Sequence, residues 1–224
     1  MIGIIIQARM GSTRLPKKVL KKIGDKNLLE HILFRLSKLK REVKVVIATS
    51  DLSKDDELEE FCDDTNTICF RGSEQNVLER YYLCAKEHNF SHVVRLTGDN
   101  PFVDIEELDN LIDLHINLHS DYSRSFSVLP KGVGSEIFTF DALELSYING
   151  KKEGHLEHVN EYIEENEDKF TISELKVTKE KRKPDMSLTV DTLDDYKKAC
   201  YIVEESKAEY IKTQEAIKLC LLFA

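Results

Sequence analysis

Six cations crowd one short stretch of this 224-residue chain: Arg9, Arg14, Lys17, Lys18, Lys21 and Lys22, with no Asp or Glu before Asp25. The whole chain carries a formal charge of -9, which leaves about -15 for everything outside the stretch. A concentrated positive loop on an acidic protein suits an anion. Gly11 lets backbone approach a ligand, and Ser12 and Thr13 add hydroxyl and N–H donors. Fixed N–H dipoles, a forked guanidinium and a mobile ammonium together suit a polyphosphate. A solvated turn with surface lysines fits the same residues equally well. The loop is not a Walker P-loop, which needs a second Gly before its Lys, nor a G-x-G-x-x-G turn.

Two aspartates follow apolar runs. Asp99 sits on the turn Thr97-Gly98-Asp99-Asn100-Pro101, where turn formation alone accounts for an Asp. Asp191 follows Leu188-Thr189-Val190, and V-D-T-L-D-D-Y is a helix start that Asp191 or Thr192 can cap. His155 and His158 have the H-x-x-H spacing that puts both rings on one helix face. No third ligand stands at a familiar spacing, so packing or substrate contact suits them better than a metal. Arg71 and Ser73 either reach a ligand or cap the following helix. Arg124, Lys131 and Glu136 lie in a loosely patterned segment, where ligand contact and surface ion pairing are equally open. Phe34, Tyr81 and Tyr82 read as core or interface, and the run Lys179-Glu180-Lys181-Arg182-Lys183 as a solvated turn.

The stretch Q-A-R-M-G-S-T-R-L-P-x-K, from Gln7 to Lys18, resembles the first motif of the nucleotidyltransferases that make CMP-activated acidic sugars. It is most similar to their SpsF-like, spore-coat-polysaccharide branch, which is related to the acylneuraminate and 3-deoxy-manno-octulosonate cytidylyltransferases. The resemblance continues in order through Phe70-Arg71-Gly72-Ser73-Glu74, Arg95 to Pro101, Glu157-His158-Val159 and Thr189-Val190-Asp191-Thr192, so it covers most of the chain. Lys17 departs from it, standing where the family has Gly.

The resemblance implies a magnesium-dependent enzyme. A sugar hydroxyl attacks the α-phosphorus of CTP in line, and a CMP-sugar and pyrophosphate result, for polysaccharide or glycan biosynthesis. By analogy the nucleotide is bound by Gln7, Ala8, Arg9, Met10, Gly11, Ser12, Thr13, Arg14, Lys18, Arg71, Thr97 and Gly98. Arg14, Lys18 and Asp99 then act in catalysis, and Asp99 and Asp191 hold Mg2+. Arg124, Lys131, Glu136 and His158 are the candidates for the sugar acceptor. Related enzymes also imply a homodimer, to which the aromatic-bearing segment 121–154 would contribute. Two other functions compete: making an NDP-sugar from a sugar phosphate, and binding nucleotide without catalysis. A glycosyltransferase is disfavoured, because Thr97-Gly98-Asp99 offers one carboxylate where D-x-D offers two.

The elements that must position these residues follow from periodicity. Ile4-Ile5-Ile6, Val43 to Ala48, Thr67 to Phe70 and His92 to Leu96 read as short buried strands. Leu28 to Leu36, Asp55 to Cys62, Val77 to Ala85 and Ile105 to Leu118 read as helices between them. Strand, helix, strand in this order implies right-handed crossovers and parallel pairing. Further strands are expected at Phe170 to Val177 and Met186 to Val190, a helix at Glu157 to Glu165, and two closing helices. The expectation is one α/β domain over 1–224, a Rossmann-like (GT-A-like), mostly parallel sheet flanked by helices. Residues 121–154 form a small β extension or arm.

Composition narrows the classes. An apolar fraction of 41% supports an ordinary core, and 33% charged residues give solvated helical faces. The acidity disfavours nucleic acid as a partner. Five scattered cysteines with no C-x-x-C read as reduced thiols. The first apolar run is too short for a signal peptide, and no segment is long enough to span a bilayer. A cytoplasmic enzyme is expected, with no membrane partner.

Overall fold

The computed structural model describes residues 1–223. The chain begins with β1 (Ile2–Gln7), a small hairpin of β2 (Lys22–Ile23) and β3 (Lys26–Asn27), and α1 (Leu28–Leu36). Then come β4 (Lys44–Ser50), α2 (Asp56–Asp64), β5 (Ile68–Gly72), α3 (Val77–Glu87), β6 (His92–Thr97) and α4 (Ile105–Asn117). The second half holds β7 (Tyr122–Arg124), β8 (Glu136–Thr139), α5 (Phe140–Asn149), α6 (Glu153–Glu157), α7 (Glu161–Glu164) and β9 (Ile172–Glu174). It closes with α8 (Leu193–Ser206) and α9 (Thr213–Leu222).

Seven strands form one sheet in the order β5-β4-β1-β6-β8-β7-β9, and only β8 runs against the rest. β1 lies between β4 and β6, parallel to both, which explains why Ile4, Ile5 and Ile6 are wholly buried. The chain moves outward from β1 to β4 and β5, then returns to the other side of β1 as β6. Adjacent strands whose connections leave in opposite directions open a crevice at their carboxyl ends. The basic loop leaves β1 at that crevice, and the Gly-Asp turn leaves β6 beside it.

Two apolar cores cover the sheet. One, under α1, α2 and α4, gathers Ile4, Ile6, Leu29, Ile32, Leu58, Leu108 and Leu111. The other, under α3, α5 and α7, gathers Ile5, Val46, Tyr81, Phe90, Phe138, Leu143 and Ile163. A third links the β2–β3 hairpin to α8 and α9 through Leu15, Ile23, Leu28, Leu188, Val190 and Ile202. This third core anchors both sides of the crevice, because Leu15 belongs to the basic loop and Val190 precedes Asp191. Local signals agree: Asn27 and Glu30 make a reciprocal capping box at the start of α1.

Several expectations change. Met186 to Val190 is extended but is not a sheet strand; a single parallel bridge joins Ser187 to Lys131. The expected helix from Glu157 is broken at His158, where α6 ends, and α7 begins only at Glu161. Of the two alternatives for residues 121–154, the sheet extension holds and the arm does not: β7 and β8 join the sheet, and Tyr122, Phe138 and Leu143 are completely buried within this chain. Tyr122 and Phe138 are thus covered without a partner, whereas Phe126 in the same segment is exposed. Asn76 rather than Ser73 caps α3, accepting from Glu79 N, while Ser73 Oγ accepts from Asn76 N. Tyr81 and Tyr82 are core residues, as the helical spacing implies. No described helix is long and apolar enough to cross a membrane.

Candidate active site

The basic loop is held open from below. Ala8 and Met10 are buried, while Arg9, Gly11, Thr13 and Arg14 face solvent. Ala8 N donates to Ala48 O at 3.2 Å, and Met10 N donates to Asp55 Oδ1 at 2.6 Å. Asp55 is fully buried and also accepts from Ser50 Oγ, so one carboxylate ties the loop to the end of β4. Sequence gave no local signal for Asp55, which looked like any first-turn acid of α2. Gln7, at the end of β1, leaves its Oε1 buried without a partner. Ser12 Oγ accepts from Leu15 N at 3.3 Å and tightens the loop before Lys18. Lys17 takes the left-handed conformation, with φ 55° and ψ 28°, which a glycine would adopt without strain.

Across the crevice, Gly98 N donates to Gln7 O at 2.8 Å and joins the two loops. A Cβ at Gly98 would lie 3.1 Å from Ala8 Cβ and 3.2 Å from the Leu29 and Val19 side chains, so any larger residue would have to push these neighbours aside by a few tenths of an ångström. Thr97 Oγ1 donates to Asp99 Oδ1 at 2.6 Å and accepts from Asn100 Nδ2 at 2.7 Å. Asp99 is thereby aimed by its own turn. Asp191 reaches the same point by another route: Val190 N donates to Asp99 O at 2.9 Å. The stretch before it is pinned by Lys131 N to Met186 O and Leu188 N to Lys131 O, both 2.8 Å. Gly132, at φ 85°, permits this docking, since a side chain there would lie 2.7 Å from Thr189 N.

Lys18 completes the arrangement. Its Nζ donates to Asp99 Oδ2 and to Asp191 Oδ1, each at 2.7 Å. Arg14 Nη2 stands 3.4 Å from Asp191 Oδ1 with its side chain mostly in solvent. Asp191 does not cap α8. Thr192 does, in a reciprocal box with Asp195, so the Asp191 carboxylate is free for chemistry.

A cleft of about 460 Å³ opens beside this cluster, lined in part by Arg95, Thr97, Asn100, Ser127, Lys131 and Glu136. Arg95, which sequence inspection left unassigned, lies on β6, where a cation inside an apolar run was the available signal. Burial works against its charge, but Glu136 beside it more than compensates and raises its pKa. Glu136 accepts from Arg95 Nη1 and from Tyr122 Oη, both at 2.5 Å, and is itself buried. Its carboxylate therefore holds Arg95 in place at the wall of the cleft. Lys131 is exposed and makes no ion pair among the described residues.

Other candidates lie elsewhere. Arg71 clips β5 to α2 through Asp56 and Glu59 at 2.7 Å, and donates to Ser50 O and Leu52 O. Its guanidinium is thus committed to the fold. Arg124 pairs with Glu164 at 2.9 Å and Glu174 at 3.4 Å and does not line the cleft. His158 is exposed, whereas His155 is buried, with Nε2 3.0 Å from Glu165 Oε2; the two rings do not converge. Lys181 corrects the reading of a solvated turn. It is 3% exposed and meets Asp104 at 3.0 Å and Glu106 and Glu107 at 2.8 Å.

The sequence profile of the family described as cytidylyltransferase matches residues 3–217. The spore coat polysaccharide biosynthesis protein SpsF of Bacillus subtilis is 40% identical over 219 residues, covering 96% of this chain and 88% of that protein. A solved cytidylyltransferase structure from Leptospira borgpetersenii superposes with a TM-score of 0.91 at 33% identity, covering 99% of this chain and 94% of the other. A CMP:2-keto-3-deoxy-manno-octonic acid synthetase, solved in complex with CTP, shares the fold at TM-score 0.70 and 16% identity, over 92% and 99% of the two chains.

Proposed function

Since the chain belongs to the cytidylyltransferase family and is a nucleotidyltransferase, we propose that it couples CTP to an acidic sugar, giving a CMP-sugar and pyrophosphate. The observation that carries this reading is the meeting of Asp99 and Asp191 on Lys18 Nζ beneath a basic loop. A sugar hydroxyl in the cleft attacks the α-phosphorus: one O–P bond forms, the bond to the β-phosphate breaks on the opposite side, and the hydroxyl proton leaves to solvent. Arg14 and Lys18 neutralise the charge that gathers on the leaving pyrophosphate. Ser12, Thr13 and the loop amides bind the phosphates, and Thr97 keeps Asp99 aimed. Lys131 is the cation left to meet the acceptor, because Arg95 is already neutralised by Glu136. A single uncommitted cation suits a carboxylate.

The donor set fits magnesium. Two carboxylates touch one cationic atom, and hard oxygen ligands in such small number suit an ion that keeps waters and takes phosphate oxygens. Asp99 and Asp191 would hold it, and when bound it supplies charge neutralisation at the phosphoryl oxygens. Among the described residues no three His, Cys, Asp or Glu side chains form a metal cluster, so the phosphates are needed to complete the shell.

A panel of nucleoside triphosphates against sugars with magnesium, scored for pyrophosphate and product mass, tests the proposal. CTP with an acidic sugar should give pyrophosphate and a CMP-sugar. Pyrophosphate only with a sugar phosphate would mean NDP-sugar synthesis, and binding without turnover a non-catalytic role. The proposal includes a cytoplasmic homodimer, as the resemblance implies; sedimentation showing only monomer at micromolar concentration would remove the dimer.

A further inference from the structure

We infer that Lys18 is a built-in counter-ion, which fills the cation position between Asp99 and Asp191 until nucleotide phosphates draw it away, so that metal enters only with nucleotide. This rests on the nucleotidyl-transfer reading for the ligand that displaces Lys18. The geometry is specific. Nζ is 2.7 Å from one oxygen of each carboxylate, and the Lys18 side chain is only 12% exposed, against 65% for Arg14. Charge-assisted bonds to both sites at once are stronger than ordinary surface pairing.

The electrostatics then set an order of binding. With Lys18 in place the trio carries one net negative charge, and Arg14 at 3.4 Å from Asp191 removes most of that. A divalent cation arriving alone must break two short bonds, and the ammonium it displaces gains no phosphate oxygens in exchange. The backbone cannot carry Lys18 aside: Lys21 N donates to Lys18 O at 3.0 Å, and Val19 is 2% exposed in the core. Only the side chain is free to swing, on a flexible four-carbon stem that carries a compact point charge. A triphosphate on the basic loop offers that ammonium new oxygen partners and brings further ligands for the metal. One swing therefore loads the phosphate grip and clears the metal position together.

The test is binding of Mn2+ by the full chain without nucleotide, read from the electron paramagnetic resonance signal of the free ion. Lys18→Met keeps the stem and removes the charge. It is expected to bind Mn2+ at least about tenfold more tightly than wild type, and Lys18→Arg is expected to match wild type. Adding Asp99→Asn to Lys18→Met is expected to abolish the gain. Equal affinity in wild type and Lys18→Met overturns the inference. So does tight Mn2+ retention by nucleotide-free wild type, which decides the matter even if Lys18→Met folds poorly. Calorimetric titration of wild type with CTP keeps the two readings apart. A Mn2+ gain in Lys18→Met without any CTP binding retires the cytidylyl reading and leaves the counter-ion role standing.

Discussion

The backbone N–H of Val190 donates to the carbonyl oxygen of Asp99 at 2.9 Å, and this bond sets Asp191 beside Asp99. Asp99 follows β6, whereas Asp191 follows no sheet strand. Asp99 is aimed by Thr97 on its own turn, and Asp191 arrives on an extended segment that docks across loops rather than inside the sheet. Lys18 bridges the pair, so their mutual repulsion is already relieved without a metal.

Asp99→Asn and Asp191→Asn should each lower kcat/KM by roughly a hundredfold or more, the scale of losing a group that acts on transition-state charge. Stability should fall by only about 1 kcal/mol, because these partly exposed ion pairs are screened. Thr192→Ala should show the reverse balance. It loses the cap of α8 at a cost of about 1 kcal/mol, with turnover less affected. Steady-state kinetics and urea melts on the three variants separate metal binding from capping.

Lys17→Gly should leave stability within about 0.5–1 kcal/mol of wild type, since relief of the left-handed conformation offsets glycine's extra unfolded-state entropy. Lys17→Val should be clearly destabilising, because a β-branched residue tolerates φ 55° poorly. Thermal melts of both variants check this.

Lys181→Met should lower the unfolding free energy by about 3–5 kcal/mol, because it strands the buried carboxylates of Asp104 and Glu107. Thr213 also donates to Asp104 at 2.5 Å, so α9 should loosen as well. A solvated turn would instead give a change within about 0.5 kcal/mol.

His115 is fully buried, with Nδ1 2.8 Å from Ser123 Oγ and Nε2 without a partner. Burial, with His92 nearby, pushes its pKa down to about 4. The unfolded chain takes up the proton first, near pH 6.5. His115 therefore favours the folded state above that pH, and its contribution is lost as pH falls towards 4, on the order of 3 kcal/mol in all. Urea melts between those limits should show stability falling with acid, less steeply in His115→Gln.

Much of the frame was legible because it rests on local pattern. Ile4 to Ile6 sit in a strand covered on both faces, and the motif residues Gly98 and Asp99 occupy a turn at its mouth. What escaped was set by tertiary pairing. Glu136 reads equally as a ligand contact or a surface ion pair, and the pair it makes, with Arg95 and Tyr122, is buried; Arg71 reads as a ligand contact or a helix cap, and meets Asp56 and Glu59 instead. Lys181 sits in a charged run whose composition hides one buried member. The His155/His158 pairing failed because the helix ends at His158, a break that the spacing alone does not reveal.

The most direct measurement follows CTP labelled at its α-phosphate, incubated with magnesium and an acidic sugar. The label should appear in a sugar product carrying one phosphorus by mass, with unlabelled pyrophosphate released in equal amount, and Asp191→Asn should give neither. Label in a product with two phosphorus atoms, or label left wholly in CTP across the acidic sugars, would contradict cytidylyl transfer to an acidic sugar.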